Sequence, residues 1–326
     1  MVHLTISAFK KDEIILKQYI YTYVQHIDER DLALLEQRAF FGTCNEGNIV
    51  FSSVCVDPSR SPFMRERIEI LESAKSIESL AEKMSAHSAG TKTFRVQCVN
   101  DIPFGETAKL SHAERRQAER EIALVIDGEP DLKAPELQYG LLYYADEWHI
   151  GYYTKSESVW LTHVQKPQSY STALSTRVAR TIANIAAPVV EDVRMIDPCC
   201  GIGTVIVEAL SMGMNIVGRD VSPFVCIGSR KNIEHFGYET TITKGPIQEV
   251  VEHYDVAIID LPYNLFTSAS RDDQLDIIRH AHRIAEKVVI VTIENIDDLV
   301  AEVGMEIVDR GIARKQSFER EILVCK

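Results

Sequence analysis

No stretch of the 326-residue chain approaches 18 consecutive apolar residues, so no membrane-spanning helix is expected. The N-terminal segment MVHLTISAFKKDEIILKQYIYTY lacks the apolar core and small-residue cleavage site of a signal peptide. The seven cysteines are odd in number and contain no CxxC pair. That argues against a disulfide framework or a zinc centre, and predicts a cytoplasmic protein with reduced thiols and no metal. Positive charge is also scarce: 35 Lys and Arg stand against 48 Asp and Glu, a net charge of −13. The acidity is even, with 18 basic and 25 acidic residues up to Val164 and 17 and 23 beyond it. No basic tail hides in the average, so a polyanion would have to be held by local clusters. Internal repeats and low-complexity tracts are absent, which excludes solenoid and linker-like architectures.

What is present is ordinary globular chemistry, 45% hydrophobic and 25% charged, with 16 glycines and 11 prolines. At roughly 150 residues per domain the length predicts about two domains. The texture changes near Val164/Gln165. Before it, Met64–Ala86 carries apolar residues at three- to six-residue steps and predicts an amphipathic helix. Thr93–Val99 alternates like a strand, and Ser111–Ile126 predicts a helix with Ser111 and Glu114 as a capping box. Leu137–Ala145 and Trp148–Thr154 predict two strands around a turn at Asp146-Glu147. Residues 1–60 give no clear assignment. After Lys166, a helix over Ser175–Ala186 leads into alternating strands (Val193–Asp197, Asn215–Asp220, Thr240–Thr243, Asp255–Asp260, Lys287–Ile293) and helices (Thr204–Met212, Pro223–Phe236, Gln274–Ala285). Two further strands are expected near Glu306–Asp309 and Glu319–Val324. Apolar strands separated by amphipathic helices predict a doubly wound α/β domain.

Two segments carry chemistry. Asp197-Pro-Cys-Cys-Gly201-Ile-Gly203-Thr lies between a predicted strand and a predicted helix, where glycines let the backbone turn and approach a ligand. Asp220 ends the next strand, where an acid can accept both hydroxyls of a ribose. Loop and acid together suggest a nucleoside-bearing cofactor; a tight strand–helix connection would account for Ser222-Pro223 but not for Asp220. The second segment is Asp260-Leu261-Pro262-Tyr263, following the strand DVAIID. An exocyclic amine on a base is a poor nucleophile because its lone pair is delocalised into the ring. A carboxylate and a backbone carbonyl that accept its two N–H bonds draw the nitrogen toward tetrahedral geometry. Tyr263 offers a stacking face. Alternatively, the segment is a turn after a buried strand with Tyr263 as a lid. Cys199 and Cys200 are expected to pack rather than react, lacking a nearby cation.

The Asp197–Thr204 segment resembles the first motif of class I S-adenosylmethionine-dependent methyltransferases, and Asp260–Tyr263 resembles the (D/N)PPY motif of amino-methyltransferases. Leu261 stands in place of the first proline, and Gly245, Pro246 and Gln248 occupy the region of the family's third-strand acid. This likeness implies S-adenosylmethionine as cofactor, held by Asp197, Gly201, Gly203 and Asp220, with Asp260, Leu261, Pro262 and Tyr263 as the catalytic group. The aspartate form leans toward guanine. Thr93–Thr154 resembles a THUMP domain, and Lys166–Ala186 resembles the helix joining THUMP to catalytic domain in tRNA guanosine-N2 methyltransferases acting at position 10. There the stretch lines the cofactor's methionine end, which implicates Ser171, Thr172 and Ser175. The implied architecture is α/β: an α+β ferredoxin-like module (1–62), a THUMP-like region (63–164), a connecting helix (165–186) and a Rossmann-like methyltransferase domain (187–326).

The implied substrate is tRNA, with Arg115, Arg116, Arg120, Lys166, Arg177 and Arg180 as RNA contacts. A small activator subunit or a homodimer is left open. Two other readings stand beside it: an adenine-N6 methyltransferase on DNA or RNA, and a noncatalytic RNA-binding protein.

Overall fold

The computed structural model describes residues 17–99, 110–169, 173–262, 270–315 and 318–326. The first half builds one seven-stranded sheet. Its strands are β1 (Tyr19–Tyr23), β2 (Ile49–Ser52), β3 (Met64–Ala74), β4 (Ser88–Cys98), β5 (Asp127–Pro130), β6 (Leu137–Tyr144) and β7 (Glu147–Lys155), in the order β2-β1-β3-β7-β6-β4-β5. Helix α1 (Arg30–Phe41) follows β1, while α2 (Ile77–Met84) and α3 (His112–Ala123) flank β4. The expected helix over Met64–Ala86 is therefore corrected: its first eleven residues form β3, and only Ile77–Met84 is helical. β3 lies between β1 and β7 and gains ladder bonds on both edges. Those long-range pairings override a local pattern that suits either structure. Helix α3 starts as expected, with the Ser111 hydroxyl accepting from Glu114 N and the Glu114 carboxylate accepting from Ser111 N. The β6–β7 turn sits one residue earlier than expected, at Ala145 and Asp146, whose φ values of 50° and 59° suit a two-residue hairpin.

The second half is the expected doubly wound domain. Helix α4 (Thr176–Ala186) leads into β8 (Arg194–Asp197), α5 (Thr204–Ser211), β9 (Asn215–Asp220), α6 (Pro223–His235), β10 (Ile242–Lys244) and β11 (Tyr254–Asp260). Then come α7 (Arg271–Ile284), β12 (Ala285–Thr292), α8 (Asp297–Glu302), β13 (Ile307–Lys315) and β14 (Phe318–Cys325). The strand order is β10-β9-β8-β11-β12-β14-β13, with the first five parallel and the last two antiparallel. The period of two sorts the side chains by face. Met195, Val256, Ile258, Val289, Val291 and Ile322 pack under α4, α5 and α6. Ile196, Ala257, Ile259, Ile290 and Leu323 pack under α7 and α8. The chain leaves β8 outward through β9 and β10, then returns beside β8 as β11. Ligands of such sheets bind at this reversal, at the strands' C-terminal ends.

The N-terminal elements are not a loose appendage. Tyr21, Leu32, Leu35 and Phe40 share one core with Ala179, Ile182 and Met195. Arg38 pairs with Asp309, Arg314 with Asp31 and Arg177 with Glu29, at 2.8, 2.6 and 2.7 Å. No helix among the described residues is long and apolar enough to cross a membrane.

Candidate active site

The loop after β8 places its glycines where side chains cannot go. Gly201 and Gly203 have φ of 53° and 77°, in the left-handed region, and Gly203 caps the N-terminus of α5. A Cβ on Gly203 would lie 2.4 Å from Ser229 Oγ. Gly203→Ala should therefore cost about 1–2 kcal/mol through φ alone, with the clash added. Urea unfolding of Gly203→Ala and of Gly203→Ala/Ser229→Ala separates the two, since the second variant relieves only the clash.

Asp220 braces this loop: its carboxylate accepts from Gly201 N at 3.0 Å and from Ser222 N at 2.9 Å. Each of its oxygens keeps a second acceptor site. Asp197 is buried, accepts from Cys199 N at 3.2 Å, and is pushed well above the usual carboxylate range by burial, helped by the nearby Asp260 and Asp220 charges. Burial, beside the same three carboxylates, also raises the Cys199 thiol. The expectation that these cysteines pack rather than react agrees with that environment. Gly245 N donates to Asp220 O, and Pro246 O accepts from Arg219 Nε, so this segment is tied to β9. The Gln248 amide donates to Asp276 on α7.

Asp260 ends β11 beside the loop. Burial pushes its carboxyl up to about 7, and Oδ1 has no hydrogen-bond partner among the described residues. An orphaned acceptor in a partly buried crevice is an unusual cost, and one that a bound donor would remove. Leu261 is buried, and its N–H donates to Val291 O of β12 at 3.0 Å. A proline there could not make this bond. Leucine thus replaces ring rigidity with a ladder hydrogen bond that fixes the same peptide. Pro262 is partly exposed, while Tyr263 lies outside the described residues.

Ser171 and Thr172 also lie outside the described residues. Ser175 is the N-cap of α4, accepting from Val178 N. The expected basic contacts divide. Arg116 and Arg120 on α3 are exposed, although Arg116 pairs with Glu119, and Arg115 is only partly exposed.

The expectation for Arg180 is corrected. Arg180 is buried: it donates to Glu208, Ser211, Ser59 O and Arg60 O, which leaves nothing for RNA. Arg177 forms two hydrogen bonds to Glu29 and lies over Phe63 and Trp160. The half-buried Lys166 amine donates to Thr204 Oγ1 at 3.0 Å, in the first turn of α5. These cations join the modules and support the loop; their spacing alone could not distinguish that role from an RNA face. Two polar residues not anticipated from the sequence complete the joint. His163 Nδ1 contacts the buried Glu208 at 2.8 Å. Asn232, fully buried on α6, bonds Gln168 N and O and also Ile202 O within the glycine loop. No group of three or more His, Cys, Asp or Glu among the described residues could hold a metal ion.

Residues 164–297 match the family model described as UPF0020, RMKL-like, methyltransferase domain. The tRNA (guanine(10)-N2)-dimethyltransferase of Methanothermobacter thermautotrophicus is 29% identical over 109 residues, 32% of this chain and 32% of that protein. The enzyme of the same name from Pyrococcus abyssi is 27% identical over 114 residues, 33% of this chain and 34% of that protein. The chain thus matches about a third of the length of these relatives. TrmN from Thermus thermophilus aligns over 95% of this chain and 99% of that chain, with a TM-score of 0.47 and 14% identity.

Proposed function

We propose that the chain is an S-adenosylmethionine-dependent methyltransferase acting on the exocyclic N2 amine of a guanosine in tRNA. One observation carries this reading: the orphaned Asp260 carboxylate stands beside the Gly201–Gly203 loop and Asp220, at the chain reversal of the sheet. The match of residues 164–297 to a methyltransferase domain, and the activity named for the two relatives, support it.

The residues present suit the cofactor. The two left-handed glycines turn the loop at the N-terminus of α5, whose backbone N–H groups suit the methionine part, and Asp220 has acceptor sites for ribose hydroxyls. Val221 and Phe224, both exposed beside that acid, offer an apolar face to a purine. S-adenosylmethionine, when bound, supplies an electrophilic sulfonium methyl group.

The chain's part is positional. Asp260 and the Leu261 carbonyl accept the two N–H bonds of the amine, which localises its lone pair and aims it into the crevice. In this reading Asp260 takes the released proton, and the sequence assigns Tyr263 to stack on the base. The target guanosine must leave its stack, because the amine is unreachable within a duplex. Residues 17–164 would present the RNA, with Arg116 and Arg120 as exposed cations and a THUMP-like role for the β4–β7 region. The net charge of −13 opposes a polyanion, so shape contributes much of the recognition, and affinity should fall with salt through a small counterion term.

The test is transfer of a labelled methyl group from S-adenosylmethionine to an unmodified tRNA transcript. Saturable incorporation that Asp220→Ala reduces through weaker cofactor binding supports the reading. RNA binding without incorporation makes the chain a noncatalytic binder.

A further inference from the structure

The last strand bears on the same site. Along β11, Val256 and Ile258 face the core beneath α4, and Asp260 follows two residues later on that face. Along β14, Ile322 and Val324 face the same core, and Arg320 precedes them by two. Val291 of β12 is the register partner of both Asp260 and Ile322. Asp260 and Ile322 thus flank one fully buried valine, and Arg320 stands two residues from Ile322 on that same face of the sheet. Two strand spacings and a two-residue offset separate the Asp260 and Arg320 backbones by roughly 12 Å, a distance across which the two side chains can bring their charges toward each other.

Arg320 is only 9% exposed. A cation buried to that degree is stabilised by negative charge on the same face. Asp197 and Asp220 lie on the same face, on β8 and β9, but each already accepts backbone N–H bonds: Cys199 N for the first, Gly201 N and Ser222 N for the second. Asp260 Oδ1 has none among the described residues.

We propose that Arg320 is the positioning residue of Asp260: its guanidinium, buried on the same face, holds that carboxylate as the anion that accepts the amine's N–H bonds. The inference rests on the function proposed above. Burial drives Asp260 toward the neutral acid, with a titration near 7, and the Arg320 charge opposes that drive. Around them, Asp197 and Asp220 add negative charge, and the Cys199 thiol is kept neutral by burial. Among the described groups named here, Arg320 supplies the positive charge. It lies 60 residues beyond the acid, on an antiparallel strand with no glycine or proline signature.

The test is a carbon-13 NMR titration of protein labelled at the aspartate carboxyl carbons, with Asp260 assigned from Asp260→Asn. The Asp260 midpoint should rise by about one pH unit or more in Arg320→Met, and stay within about half a unit in Arg320→Lys, which keeps the charge. In transfer assays the acid limb of kcat should follow. A rise of one unit from a midpoint near 7 lowers the ionised fraction at pH 7 from about a half to about a tenth, so Arg320→Met should lose about fivefold at pH 7 and recover most of it at pH 9. An unmoved midpoint, or an equal loss at every pH, overturns the proposal. If circular dichroism shows Arg320→Met to be unfolded, Arg320→Gln decides: a rise of about a unit or more supports the proposal, and an unmoved midpoint overturns it. Absence of transfer by the unaltered chain counts against the proposed function instead, and leaves the titration to be read on its own.

Discussion

Asp260→Ala should lower methyl transfer by about 10²–10³-fold, the loss typical of removing one preorganised group at a reacting centre. The fall should be in kcat, because the carboxylate works on the amine in the transition state. S-adenosylhomocysteine affinity, measured by calorimetry, should change by less than about threefold, since the cradle at Gly201, Gly203 and Asp220 lies on neighbouring strands. Asp260→Asn keeps an acceptor oxygen and should lose less. It also removes the titrating group, so the rise of rate with pH expected near 7 from the raised carboxyl should disappear. The sign follows from the chemistry: only the anion can accept an N–H bond of the amine and then take its proton, so activity increases as the acid ionises. A comparable loss of cofactor affinity in Asp260→Ala would move this residue from the reacting amine to the cofactor.

The second large effect concerns stability. Glu208 is fully buried and accepts from Arg180 at 2.9 Å and contacts His163 at 2.8 Å, with Arg180 and His163 themselves 2% and 3% exposed. Glu208→Met leaves the Arg180 guanidinium buried without its anion, and should destabilise the protein by about 3–5 kcal/mol. Arg180→Met alone strands the carboxylate and should cost a similar amount. Glu208→Met/Arg180→Met removes both charges and should cost clearly less than the sum of the single changes. Urea unfolding of the four proteins measures the coupling; strict additivity would mean that the pair is not the joint described here. Because Arg180 also holds Ser59 O and Arg60 O, the single variants should loosen the N-terminal elements from α4.

Much of the site was legible because its parts are local. The glycine loop, Asp220 and the Asp260 segment each lie within a few residues of a strand end, where period-two apolar runs and left-handed glycines leave a direct mark. The helix start at Ser111 was legible for the same reason, since a capping box is a four-residue event. β3 was not. Arg67 and Glu69 alternate with apolar residues there, but their partners are distant: Arg67 donates to Val56 O and Thr154, and Glu69 pairs with Lys17. The basic clusters failed in the opposite way. Arg177 and Arg180 are spaced on α4 as an exposed face would be, yet Glu29, just before α1, and Glu208, on α5, pair the two charges. Arg320 carries no local signal at all. Only the register of β12 with β11 and β14 brings it to Asp260.

The central claim is that the amine held by Asp260 and Leu261 belongs to guanosine. The direct measurement is mass spectrometry of the nucleosides released from an unmodified tRNA transcript after incubation with the protein and S-adenosylmethionine. N2-methylguanosine, or its dimethyl form, absent when Asp260→Ala replaces the unaltered protein, is the expected result. N6-methyladenosine, or no methylated nucleoside in the presence of bound cofactor, would contradict the account.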